Sequence, residues 1–81
     1  MDMTDVAHRL ELKFGLGTRP DLRKALYKRL EQVIGEQGER AYVAVASAAA
    51  DAIGKENPGR YFARVVILRL YERGILESQD F

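Results

Sequence analysis

His8 is the single histidine of the chain, with Asp5 and Glu11 three residues to either side. On a helix that spacing puts the three on one face, which is the outline of an acid–base or metal cluster. Metal sites ordinarily draw three or four convergent ligands oriented by further hydrogen bonds, and nothing else nearby supplies them, so the trio reads as surface charge. Ser47 and Ser78 have no evident base beside them, and Ser47 falls in an alanine-rich run where helix packing accounts for it. Gly15 and Gly17 lack the lysine and third glycine of a phosphate-binding loop. Asp51 and Glu56 straddle an expected turn, with nothing apolar to raise a carboxyl pKa. The absence of cysteine removes thiolate nucleophiles, disulfides and Cys-ligated zinc together. This inventory points away from an enzyme and implies neither a metal nor a cofactor.

Charge is more informative by position than in total. The 81 residues carry 13 Lys+Arg and 12 Asp+Glu. Residues 9–29 hold seven bases (Arg9, Lys13, Arg19, Arg23, Lys24, Lys28, Arg29) against Glu11 and Asp21, a local +5. Residues 30–51 come to −3 and residues 55–73 to +3. If the helices that carry the two basic stretches are neighbours, Arg23, Lys24, Lys28, Arg60 and Arg64 would merge into a surface that meets phosphates. The competing reading is that these cations only solvate the outside of a bundle, and a net charge of +1 is low for a DNA-binding domain. Tyr61 beside Arg60 has the composition of a base-stacking site. All four tyrosines also suit half-buried positions whose hydroxyls reach water.

Three long helices should position these residues. Thr18-Arg-Pro-Asp21 has the pattern of a capping box with proline in the first turn. The helix that follows, over residues 21–36, gathers Leu22, Ala25, Leu26, Leu30, Val33 and Ile34 on one face and sets Lys24, Lys28 and Glu31 opposite. Gly35 and Gly38 flank its end. A second helix spans residues 39–53, with Gly54 ending it. Its middle is almost free of charge and dominated by alanine, which favours helix and lets neighbouring axes approach. Asn57-Pro58 marks the start of a third, an N-cap side chain with proline at the first helical position. That helix, over residues 58–73, is apolar nearly all round, which predicts a central position with arginines emerging at its edges. Gly74 caps it, and Ile75-Leu76 should fold back onto the core. The N-terminal piece fits two patterns. Val6, Leu10 and Phe14 follow helical spacing, while residues 10–16 also alternate like a strand. Helix is the better fit, because a lone strand needs a partner and only Ile75-Leu76 offers one.

The expected architecture is a single all-α domain over residues 1–81, a small bundle of three long helices plus a short N-terminal helix or strand. A core this small rarely contributes more than about 3–5 kcal/mol without metal, disulfide or oligomerisation. Either the helices pack very well or a partner surface completes the core. The partner would be a second copy or the rest of a longer protein. The alanine-rich helix offers Ala41, Val45 and Ala48 and the last helix Tyr61 and Phe62 as an interface, equally suited to intramolecular packing or to a symmetric dimer. No apolar run approaches the roughly 20 residues that span a bilayer. The acidic start, Met1-Asp2-Met3-Thr4-Asp5, is unlike a secretory signal, so a cytoplasmic location is expected.

Residues 52–74 carry a turn with Asn57, Pro58 and Gly59, then the aromatic pair Tyr61 and Phe62, opening a helix that ends near Gly74. This segment resembles one found in plasmid and phage replication proteins and helicase-loader-type domains. The resemblance covers under a third of the chain. It implies a helical module of DNA replication or mobile-element maintenance that contacts DNA or a replicative helicase. Members of that group carry more positive charge here than this sequence does. Two functions are therefore expected in competition: a non-catalytic nucleic-acid-associated module, or a protein-interaction module that forms a homodimer or docks a partner helix.

Overall fold

The structure, a computed structural model, describes residues 5–77. Among them are four helices and no strand: α1 (Val6–Phe14), α2 (Pro20–Gln37), α3 (Glu39–Ala52) and α4 (Pro58–Glu72). The all-α bundle read from the sequence is what forms, and the N-terminal element is a helix. Thr4, a hydroxyl residue of the type that caps helices, lies outside the described residues.

Proline and glycine set most boundaries. Pro20 opens α2 one residue ahead of the expected start. The N-cap is Arg19 and no side chain caps it, so the box expected from Thr18 does not form; the fixed φ of proline at the first position suffices to begin the helix. Gly35 lies inside α2 rather than ending it. Termination falls to Gly38, whose φ of +73° suits a residue without a β-carbon and turns the chain directly into α3. Asn57 caps α4 as its sequence announces, its Oδ1 accepting the Arg60 backbone N–H at 3.3 Å. At the far end the Ile75 N–H donates to the Leu70 carbonyl at 2.9 Å and the Gly74 N–H to that of Tyr71 at 3.0 Å. This Schellman arrangement turns Ile75 and Leu76 back against the core.

The core runs through all four helices: Val6 and Leu10; Leu26, Tyr27, Leu30, Val33 and Ile34; Ala41, Ala44, Val45, Ala48 and Ala52; Phe62, Val66 and Leu70. Taking Leu30 as the centre of the α2 stripe, 3.6 residues per turn sets Ala25 about 140° away and Leu22 about 80° away. Both are exposed, contrary to the face expected for them. Arg23 lies about 20° from the same centre and takes a core-facing position instead.

The middle of the bundle is shared by α2 and α3 and does not fall to α4. Helix α3 packs against both α2 and α4, while α1 packs on α2. One stripe of α4 is fully buried, but Leu68 and Tyr71 remain 42% and 41% exposed. On α3 the small side chains of Ala41, Ala44, Ala48 and Ala52 let helices close from two sides. The Cα radius of gyration, 11.5 Å, is that of a fully compact chain of this length. The four helices thus close a core within one chain.

Candidate nucleic-acid interface

The start of α4 organises a surface where three cations surround an aromatic ring. Asn57 and Pro58 fix the direction of the helix. Gly59, in its first turn, is buried against the end of α1: a β-carbon there would stand 2.9 Å from the Phe14 carbonyl oxygen. Phe62, one turn on, stacks on Phe14 with ring centroids 4.6 Å apart and planes 14° from parallel. It also meets the Tyr27 ring at 6.5 Å. The Tyr27 hydroxyl donates to the Gly15 carbonyl at 2.7 Å, which holds the α1–α2 turn against the same cluster. With one face of α4 so anchored, Arg60 and Arg64 must project from the other.

They line an open cleft with Lys55, Glu56, Asn57, Tyr61, Val65 and Leu68. Lys55 Nζ lies over the Tyr61 ring, 4.9 Å from its centroid, a cation–π contact. Three cations and one acid share the cleft, with an aromatic face and two apolar side chains between them. Arg60, Lys55 and Arg64 join no ion pair among the described residues, where the single pair links Arg69 to Asp51. This arrangement suits a polyanion whose phosphates meet the cations gathered around Tyr61.

The other residues singled out from sequence are distributed differently. Arg23 is no free surface cation. Its guanidinium lies between two glycines, with an ideal Gly17 β-carbon 3.3 Å from Nη2 and a Gly59 β-carbon 2.7 Å from Nη1. Lys24 and Lys28 are exposed on the outer side of α2 and do not line the α4 cleft. Ala41, Val45, Ala48 and Phe62 are buried in the chain's own core, so of their two expected roles the intramolecular one is observed. Tyr61 is the one member of that proposed interface left partly exposed, and it faces the cationic cleft.

Arg69 is committed elsewhere, donating to the Ser47 hydroxyl and the Asp51 carboxylate across the α3–α4 contact. That gives Ser47 and Asp51 a structural occupation. Arg40 reaches the Arg73 carbonyl at 3.2 Å and so satisfies the end of α4. His8 is exposed, and among the described residues no three of His, Cys, Asp or Glu converge as metal ligands. No helix of the described residues is long and apolar enough to cross a membrane.

Sequence reasoning missed Lys55. It lies in the turn between α3 and α4, outside the helical faces from which the other candidates were drawn. A signal was present, since it and Arg60 flank the Asn57-Pro58 start.

Comparison with protein-family models, with curated proteins and with solved structures finds no match.

Proposed function

We propose that the chain is a non-catalytic, cytoplasmic, nucleic-acid-associated module that uses the α4 cleft to hold a single strand. The observation that carries this reading is the grouping of Lys55, Arg60 and Arg64 around Tyr61, with no ion pair to occupy the cations. The likeness of residues 52–74 to segments of replication proteins supplies the setting, DNA replication or the maintenance of a mobile element. The structure also explains those residues in structural terms. Asn57 caps, Gly59 makes room and Phe62 fills the core, so the DNA contact rests on Arg60, Arg64 and Lys55.

The test is a titration of a fluorescein-labelled oligothymidine strand, read by anisotropy over a range of salt. Release of counterions from about three phosphates gives a log–log salt slope of about −2 for a single strand. Affinity should then fall about 20-fold between roughly 50 and 200 mM salt. Absence of binding at the lower salt, or a slope near zero, would contradict the reading.

A second reading, a protein-interaction module without nucleic acid, is favoured by a separate groove between α1 and α3.

A further inference from the structure

Helices α1 and α3 enclose an apolar groove of about 420 Å³. Its floor is Val6, Leu10 and Val45, all buried. The α3 wall is the strip Tyr42, Ala46, Ala49 and Ile53, at helical spacing and without a charge. The α1 wall carries Arg9 and Lys13, one turn apart and both exposed. Neither joins an ion pair among the described residues. Asp51, the acid in the last turn of α3, is held by Arg69. The groove is thus apolar in its floor and positive along one rim.

We propose that this groove docks an amphipathic helix from another protein, with an apolar stripe for the floor and acidic residues one turn apart for Arg9 and Lys13. Three features select that occupant. The strip from Tyr42 to Ile53 extends about 17 Å, which matches about three turns of helix. Its alanines keep the wall low, so a docked helix axis can approach to within about 8–10 Å. Apolar anchors spaced i, i+3 or i+4, and i+7 then reach the floor along one face. The unpaired cations on a single rim fix both the sign of the partner's flank and its orientation. A second copy is the poorer occupant. A two-fold axis sets like surface against like, which would oppose two concave grooves and bring their cationic rims together. The proposal is independent of the α4 cleft.

The experiment is selection from a displayed library of helical peptides of about five turns. Positions on one face are randomised among Ala, Leu, Ile, Phe, Gln, Glu and Lys, and the purified chain is the target. Selected peptides should combine the apolar stripe with Glu at two flanking positions one turn apart. Their affinity should drop about tenfold or more in Ala46→Arg, which obstructs the wall. The same loss is expected in Arg9→Glu/Lys13→Glu, whose exposed positions leave folding intact. The latter variant should prefer peptides with Lys in place of Glu, and Arg60→Glu/Arg64→Glu should bind as the parent does. Failure to select any peptide, or selection of peptides indifferent to the sign of their flank, would overturn the proposal. So would a dimeric parent chain in light scattering that Ala46→Arg converts to a monomer, because the groove would then be filled by a second copy.

Discussion

A β-carbon at position 59 would stand 2.7 Å from Nη1 of Arg23, so the guanidinium of α2 occupies space that any residue but glycine would fill at the start of α4. The contact ties the first turns of α2 and α4 together. It also explains why the most core-facing base of α2 does not line the α4 cleft. Gly59 is needed for what it lacks, and Arg23 for how far it reaches along the junction with its apolar stem.

Substituting Gly59 by alanine should therefore destabilise the chain although alanine is the better helix former. Replacement inside a helix ordinarily gains roughly 0.5–1 kcal/mol, but here the β-carbon also meets the Phe14 carbonyl at 2.9 Å. Overpacking of that kind costs about 1–3 kcal/mol. Gly35→Ala is the control. It lies within α2 with nothing inside 4 Å of an added β-carbon and should stabilise by about 0.5–1 kcal/mol. Thermal melts of the two variants should move in opposite directions.

Removing the Phe62 ring should unfold the domain. It is wholly buried and stacks on Phe14, and truncation of such a residue costs about 3–5 kcal/mol. That is close to the whole stability available to a core of this size. Far-ultraviolet circular dichroism at room temperature should show most of the helical signal lost in Phe62→Ala, and a parent-like spectrum would contradict the packing described.

Tyr27→Phe isolates one hydrogen bond. The ring stays in the core and only the donation to the Gly15 carbonyl disappears, leaving that carbonyl to find water. A loss of about 0.5–1.5 kcal/mol is expected from urea unfolding, with the slope unchanged.

The two exposed cation pairs should differ in their effect on a single strand. Arg60 and Arg64 share the cleft with Tyr61, whereas Lys24 and Lys28 stand on the outside of α2. Charge reversal at Arg60 and Arg64 should weaken binding about tenfold or more. Reversal at Lys24 and Lys28 should change it by no more than about threefold, through long-range attraction alone. Equal losses in the two variants would place the strand across both helices.

Local signals in the sequence proved the most legible. Asn57-Pro58 identifies the start of α4, and Gly74 with Ile75 its end, because caps are settled within a few residues. The face of α2 was readable only in part. Arg23 falls within the apolar stripe by periodicity, but its charge assigns it to the surface until Gly17 and Gly59 are seen to shape a niche around it. The middle helix was misassigned for a related reason. Overall apolarity singles out α4, whereas centrality depends on which helices the chain order brings to either side, and there α2 and α3 each have two neighbours. Lys55 escaped notice because a turn residue belongs to no helical face. It joins the cleft only when the turn brings it over Tyr61. Of the residues that carry the resemblance over 52–74, most serve packing: Asn57 caps, Gly59 makes room and Phe62 fills the core.

The most direct test of the central claim compares the parent chain with Arg60→Glu/Arg64→Glu, each titrated with the same labelled oligothymidine strand at low salt. Circular dichroism would confirm that both are folded. The account predicts salt-sensitive binding by the parent and a loss of about tenfold or more in the variant. Binding of equal strength by the two chains, or none by the parent, would contradict it and leave the α1–α3 groove as the functional surface.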